Sequence, residues 1–349
     1  MKLGKIPMDL LDDLLGTLNS NDPSVLLGPR VGADAAVIKT DGELVVAKSD
    51  PVTFASEYIG WYAVQINAND IACLGAKPKW FLATLLLPER TNQTLLREIF
   101  DQILTACAEL GITLIGGHTE ITQRVDKPVI AGTMLGTVEP KRIVWPSGAQ
   151  NGDTLLLTKS IALEGTTIIA KELEPLLLKL GLPQTVIDQA KTLLTNPGIS
   201  VVRDAQVACK VTEIHAMHDP TEGGLATGLF EMAHSAGLGL VVDNDAIPII
   251  PECYEICNVL GLNPLGLLAS GSLLLAIDPG DAIKVVSALS KCAINAQPIG
   301  QFTNQQSTVS LQSRRDFTEL PRFERDEIAR VLEGYTLNPN SGNLNANDN

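Results

Sequence analysis

The chain predicts a two-domain fold of mixed helix and sheet, α/β or α+β. Its 349 residues amount to about two domains at roughly 150 residues each. Strand-like and helix-like segments alternate through both halves. Two groups of turn residues, Pro146-Ser147-Gly148 and Asn151-Gly152-Asp153, interrupt the alternation near the middle. The expected division is an N-terminal domain at 1–150, a C-terminal domain at 151–336 and a disordered Asn-rich tail at 337–349.

The elements follow in order. Val31 to Ile38 and Leu44 to Ser49 read as strands around a Thr40-Asp41-Gly42 turn, which is hairpin chemistry. Glu57 to Leu74 has helical apolar spacing and stops at Gly75, with Pro78 beyond. Trp80 to Leu87 is a strand closed by Pro88, and Thr91 to Leu110 an amphipathic helix ended by Gly111. Ile112 to Ile115 and Val129 to Val138 complete the strands of the first half. The second half opens with a strand at Thr154 to Thr158, then helices around Thr166 to Leu180 and Pro183 to Leu194. A loop from His218 to Gly224 leads into a helix at Leu225 to Ser235. Strands at Gly239 to Val242 and Gly271 to Ile277 and a helix at Asp281 to Lys291 follow.

Composition narrows the function. Hydrophobic residues are 45% and charged residues 19%, which is globular. Forty acidic against 26 basic side chains give a net charge of −14, a surface that repels nucleic acid and anionic membranes, and no basic run offsets it. No stretch approaches the ~18 apolar residues of a membrane span. Asp9, Asp12 and Asp13 interrupt what would be the apolar core of a secretory signal. The six cysteines have no CxxC or His-x3-His partner, so reduced thiols and a cytoplasmic location are expected.

Four segments of the first half concentrate Gly with Asp, Asn, Glu or His at element ends: Gly32-Ala33-Asp34-Ala35-Ala36, Lys48-Ser49-Asp50-Pro51, Asn69-Asp70 with Gly75-Ala76-Lys77-Pro78, and Gly116-Gly117-His118-Thr119-Glu120. At helical spacing Ile59, Ala63, Ile66 and Asp70 share a face. A carboxylate on an apolar face in a last helical turn suffers desolvation and the negative end of the helix dipole. A divalent cation relieves both; so does a loop backbone or an arginine. Asp34 and Asp50 stand beside small residues that leave room for a bulky ligand, although Asp in such places also starts turns. Gly116-Gly117 offers backbone N–H groups to a phosphate, yet fits neither GxGxxG nor GxxxxGK[ST]. His118 reads as a base, a ligand or simply a polar loop residue. Asp219-Pro220-Thr221-Glu222-Gly223-Gly224 reads as an anion-binding helix N-terminus or as a capped turn. Glu324 to Glu327 reads as a helix surface, Asp243 and Asp245 as a solvated turn, and Trp61, Tyr62, Trp80 and Phe81 as packing. No GxSxG occurs.

In this order the segments resemble the aminoimidazole ribonucleotide synthetase-related (PurM-like) superfamily from about Gly28 to Phe302. The most specific stretches are residues 32–38, 69–78, 116–120 and 219–225. The resemblance implies a homodimer whose N-terminal sheets pair into an interface β-barrel, with ATP and Mg2+ as cofactors. By position Asp34, Asp50 and Asp70 would match metal and phosphate ligands, with Asp70 and His118 the catalytic candidates. Asn69, Gly75, Gly116, Gly117, Thr119, Glu120, Asp219, Thr221, Gly223 and Gly224 would match the nucleotide-binding positions. The hydrogenase maturation HypE branch is the most similar. The sequence departs from that branch at three points. It ends Asn347-Asp348-Asn349, with its last cysteine at Cys292; Ala269-Ser270-Gly271-Ser272 lacks that branch's glutamate; and His118 stands where an acidic residue is usual. The expectation is HypE likeness without HypE chemistry.

The leading expectation is therefore a Mg-ATP-dependent enzyme that phosphorylates, and so activates, an oxygen of a small-molecule or protein-bound substrate. Alternatives are a thiamine-monophosphate kinase-like phosphotransferase, a non-catalytic nucleotide-binding maturation factor docked on a partner, or a structural dimer with the aspartates far apart. Replacing Asp70 by Asn is expected to leave the fold intact or stabilise it by removing a buried charge.

Overall fold

The computed structural model describes residues 8–16, 22–53, 57–305, 308–314 and 316–337; the expected tail from 338 onward lies outside these. Two compact units divide the chain. The N-terminal unit holds residues 22–29 and Ala33–Val144. The C-terminal unit holds Arg30–Gly32 and the described residues from Trp145 on, together with helix α1 (Met8–Gly16).

The N-terminal unit is built on strands β1 (Val25–Leu27), β2 (Ala36–Lys39), β3 (Leu44–Val52), β4 (Lys77–Leu87), β5 (Thr113–Ile121) and β6 (Val129–Val138), with helices α2 (Ile59–Cys73) and α3 (Gln93–Leu110). They form one sheet in the order β1-β2-β3-β6-β4-β5, open at both ends. Every neighbouring pair is antiparallel except β4–β5, where α3 is the crossover that parallel strands require. Helix α3 is framed by its sequence: Asn92 accepts the Leu95 N–H as N-cap, and Gly111 closes the helix in the left-handed region.

Several expectations shift. The strand expected from Val31 begins only at Ala36, because Pro29 and left-handed Gly32 (φ 73°) hold the preceding segment irregular. Strand β3 runs past Ser49 to Val52; beyond the end of β2 it has a neighbour on one side only, where Pro51 is tolerated. Helix α2 is buried all round except at Trp61 and Ile66, so Ile66 does not share a buried face with Asp70. Two glycines on one face of β6 let α2 lie that close. A Cβ at Gly132 would stand 2.4 Å from Asn67 Nδ2, and one at Gly136 2.4 Å from Ile71 Cγ2. Tyr62, Ile71, Phe81, Leu85, Ile103 and Met134 fill the core between helices and sheet.

The C-terminal unit carries β7 (Thr154–Thr158), β8 (Ala216–His218), β9 (Gly239–Asp243), β10 (Leu274–Ile277), β11 (Ala296–Thr303), β12 (Val309–Ser313) and β13 (Asp316–Glu319). Their order is β13-β12-β9-β11-β7-β10-β8, with only β9–β12 parallel. Around it stand α4 (Leu163–Glu172), α5 (Glu174–Lys179), α6 (Gln184–Thr192), α7 (Val202–Val211), α8 (Gly224–Ala236), α9 (Pro251–Leu260), α10 (Ala282–Lys291) and α11 (Glu327–Leu337). Strand β10 and the Leu155–Leu157 centre of β7 are continuous buried apolar runs rather than alternating ones, as strands covered on both faces must be.

Candidate functional site

Strand alternation puts Leu44, Val46, Lys48, Asp50 and Val52 on one face of β3, the face that α2 covers. The outer three are buried apolar residues; the inner two bear charge. Helix α2 is pinned there by Asn67. The Asp50 N–H donates to Asn67 Oδ1 at 3.0 Å, and Asn67 Nδ2 donates to the Asp50 carbonyl at 3.2 Å and to the Ala63 carbonyl at 2.9 Å. Gly132, opposite Asp50 in β6, leaves the room this side chain needs. One turn past Asn67, Asp70 reaches the same place. Its Oδ2 lies 3.2 Å from Lys48 Nζ, and Asp50 Oδ2 lies 3.5 Å from the same nitrogen.

Burial acts to lower the affinity of Lys48 for its proton, but the carboxylates of Asp70, Asp50 and Asp34 outweigh it and hold the ammonium well above the ordinary lysine value. Asp70 is nearly buried, with 6% of its side chain exposed, whereas Asp50 is 36% exposed and reachable from solvent. Asp34, just before β2, is almost fully buried. Of the three aspartates expected as metal ligands, Asp50 and Asp70 share a cation, the ammonium of Lys48, and Asp34 adds to the negative field around it. Three carboxylates and one ammonium leave two surplus negative charges. That charge and the oxygen-only donor set fit a magnesium ion carried on phosphates, which takes one or two protein carboxylates. The buried charge of Asp70 is thus paired, which reverses the expectation that its removal is neutral or stabilising.

The remaining positions of the first half lie elsewhere. Asn69 is buried within α2. Gly75 ends that helix at φ 72°, its N–H donating to the Ala72 carbonyl at 2.8 Å, and a Cβ there would stand 2.8 Å from the Arg142 carbonyl oxygen. Its glycine character follows from the helix stop. Gly116 to Glu120 is not a loop: the whole run continues β5, paired in parallel with Leu82 to Leu86 of β4. Gly117 must be glycine, since a Cβ would come 1.9 Å from the Ala83 carbonyl oxygen. The backbone N–H groups offered to a phosphate are those of a strand with a ladder on one side. His118 and Thr119 project from that exposed strand, and His118 Nε2 lies 3.0 Å from Glu120 Oε2. Strand β5 is three strands away from β3, about 14 Å across a sheet. Within one chain His118 and Asp70 are not brought together.

In the C-terminal unit, the turn before α8 is built by Gly223 and Gly224 at φ 81° and 68°, with Gly224 N–H donating to the Thr221 carbonyl at 3.0 Å. Of the two readings of this segment, the capped turn is the one formed within the chain, and an acidic side chain occupies its first N–H. The Gly223 N–H donates to Asp326 Oδ2 at 2.7 Å. Asp326 Oδ1 also accepts from Ile328 N–H at 2.8 Å and from Leu268 N–H at 3.2 Å. Asp326 and Glu327 are buried, so Glu324 to Glu327 is not a helix surface: only Glu324 of the three acids is exposed. Asp219 is buried beside this turn. Glu164, in the first turn of α4, is buried. Desolvation, reinforced by Asp326, Glu222 and Asp219, pushes its carboxyl up to about 7, and burial and Glu222 push Asp326 up to about 7 against three backbone donors.

Lys48, Asn67, Glu164 and Asp326 were not singled out from the sequence. For Lys48 a signal existed: a lysine two residues before an aspartate in a strand lies on the same face. For Asn67 it was two glycines four apart in β6. Glu164 and Asp326 carry none: Leu268 and Gly223 lie 58 and 103 positions from Asp326, and Asp219 and Glu222 are as distant in sequence from Glu164.

Two family models match, the AIR synthase related protein N-terminal domain over residues 32–138 and its C-terminal domain over 150–312. A Methanocaldococcus jannaschii protein named for hydrogenase expression and formation is 29% identical over 89% of this chain and 91% of its own length. The carbamoyl dehydratase HypE of Azotobacter vinelandii is 30% identical over 86% of this chain and 83% of its own. Among solved structures, a HypE–HypF complex aligns with TM-score 0.74 at 20% identity, over 90% of this chain and 99% of that one. HypE in complex with ATP aligns with TM-score 0.71 at 23% identity, over 93% and 94%.

Proposed function

Because the chain belongs to the AIR synthase related protein family, an enzyme family, we propose that it binds Mg-ATP in its N-terminal unit and uses it to activate a carbonyl-type oxygen of an acceptor. The observation that carries this reading is the meeting of Asp50 and Asp70 on a single cation, with Asp34 adding negative charge to spare. Asp50 and Asp70 would hold the metal, with Asp34 as the third carboxylate of the group. Bound magnesium would neutralise the phosphates undergoing attack. Phosphoryl transfer needs mainly position and charge balance, and the chain supplies both here. Asn67 fixes the backbone of Asp50, and α2 holds Asp70 rigidly over β3. The relatives' name, carbamoyl dehydratase, favours a carboxamide-like acceptor over a hydroxyl. In the same reading two copies pair through the exposed edge strand β5, which would carry Gly116, Gly117, His118, Thr119 and Glu120 toward a second copy.

Calorimetric titration with ATP, with and without magnesium, tests the reading directly. Magnesium-dependent binding that is lost in Asp70→Asn is the expected result. Equal ATP affinity in wild type and variant, or no binding by the wild type, sinks it. Phosphate release on adding carboxamide acceptors then separates an activating enzyme from a protein that only binds nucleotide.

A further inference from the structure

We propose that Lys48 is a built-in counter-ion of the candidate metal site: in the nucleotide-free protein its ammonium takes the place of a divalent cation between Asp50 and Asp70, and a metal must compete with it to enter. The inference rests on the reading that these aspartates hold magnesium. Its own basis is the position of Lys48. Two residues before Asp50 on the same face of β3, it sits 3.2 Å from Asp70 and 3.5 Å from Asp50, with 23% of its side chain exposed. The carboxylates cannot relax away from it cheaply, because Asn67 holds the Asp50 backbone and Asp70 issues from a helix packed across three strands. Two carboxylates that meet on one ammonium repel each other when it is removed, so a positive group between them favours the folded state. Lysine is a compact point charge on a flexible stem, suited both to filling such a place and to leaving it for a phosphate oxygen when a triphosphate arrives with its own metal. The consequence is discrimination: a bare divalent ion meets a place already filled, whereas a metal–nucleotide offers Lys48 new acceptors.

Titration of the full-length chain with Mn2+, followed by electron paramagnetic resonance without nucleotide, tests this. Lys48→Met and Lys48→Gln should each bind Mn2+ at least tenfold more tightly than wild type. Their melting temperatures should fall at zero metal and recover as Mn2+ is added. Lys48→Arg, which keeps the charge, should match wild type. With Mn2+ saturating, a non-hydrolysable ATP analogue should bind more weakly to Lys48→Met. A lysine with a merely structural role would lower the melting temperature without moving metal affinity, and unchanged or weaker Mn2+ binding in both neutral variants overturns the inference. Asp70→Asn run in parallel separates the two levels. If it abolishes metal–nucleotide binding while the neutral Lys48 variants gain nothing, only the counter-ion role falls. If it changes nothing, the metal reading and this inference fall together.

Discussion

At Asp70 the desolvation of a carboxylate at a helix C-terminus is set against an ammonium 3.2 Å away. Removing one partner of a nearly buried pair strands the other, so Asp70→Asn is expected to lose about 2 kcal/mol in urea unfolding while keeping its far-ultraviolet circular dichroism. Asp50, more exposed, should cost well under half of that when replaced by Asn. The pH dependence follows from the raised value of Lys48. Its stabilisation is complete below the ordinary lysine value of 10.5 and fades only as pH rises toward the higher folded value, so Lys48 contributes nothing to pH dependence near neutrality. Glu164 behaves oppositely. With a folded value about 7 against an ordinary 4.5, the folded state retains its proton between those limits, and the stability it leaves falls as pH climbs through that window. Glu164→Gln should therefore gain little at pH 5 and on the order of 3 kcal/mol at pH 8, read as a widening gap in melting temperature. A gap that stays constant across the range would contradict the assignment of its burial penalty. The type of residue at these positions was visible in the sequence, but the identity of each partner was not, because Lys48 to Asp70 and Gly223 to Asp326 are tertiary pairings.

At the level of elements, the seat of α2 on β6 decides whether the site exists. Gly132 and Gly136 share one face of β6 and remove the bulk that would lift the helix. Gly136→Ala places a Cβ 2.7 Å from the Lys77 carbonyl oxygen and 2.4 Å from Ile71 Cγ2. We expect it to destabilise by about 2 kcal/mol or more, measured by chemical denaturation, and Gly132→Ala additionally to weaken magnesium-dependent nucleotide binding by displacing Asn67. Nucleotide affinity unchanged in Gly132→Ala would show that Asn67 does not position Asp50. Periodicity located β6, β7, α3 and α10 to within a residue or two, because each is long or regular and ends at turn or cap residues. It failed at Gly116 to Glu120. Two glycines after the short run Ile112 to Ile115 read as the end of a strand, but β4 accepts the segment in register and only glycine can lie that close to Ala83.

For the whole molecule, the open edge of the N-terminal sheet is the feature with consequences for assembly. Strand β5 is exposed along nearly its full length, with Ile115 and Ile121 more than half exposed, an arrangement that single chains usually protect. Sedimentation equilibrium should find a dimer, and Ile115→Lys with Ile121→Lys should shift it to monomer without lowering the secondary-structure content. A wild-type monomer at micromolar concentration would refute pairing through β5. The C-terminal unit is instead drawn together at Asp326, which ties the α8 turn, the segment at Leu268 and the start of α11 through three backbone donors.

Composition, turn chemistry and apolar period are local properties, and they were enough to establish a two-domain chain of mixed helix and sheet, its acidic character and the segments that concentrate chemistry. The order of strands, the lysine that the aspartates share, the strand made of Gly116 to Glu120 and the carboxylate that fills the α8 turn were decided by the tertiary structure. Each depends on which distant group arrives within about 3 Å, and that distance is set by packing of α2, β4 and α11 rather than by any spacing along the chain.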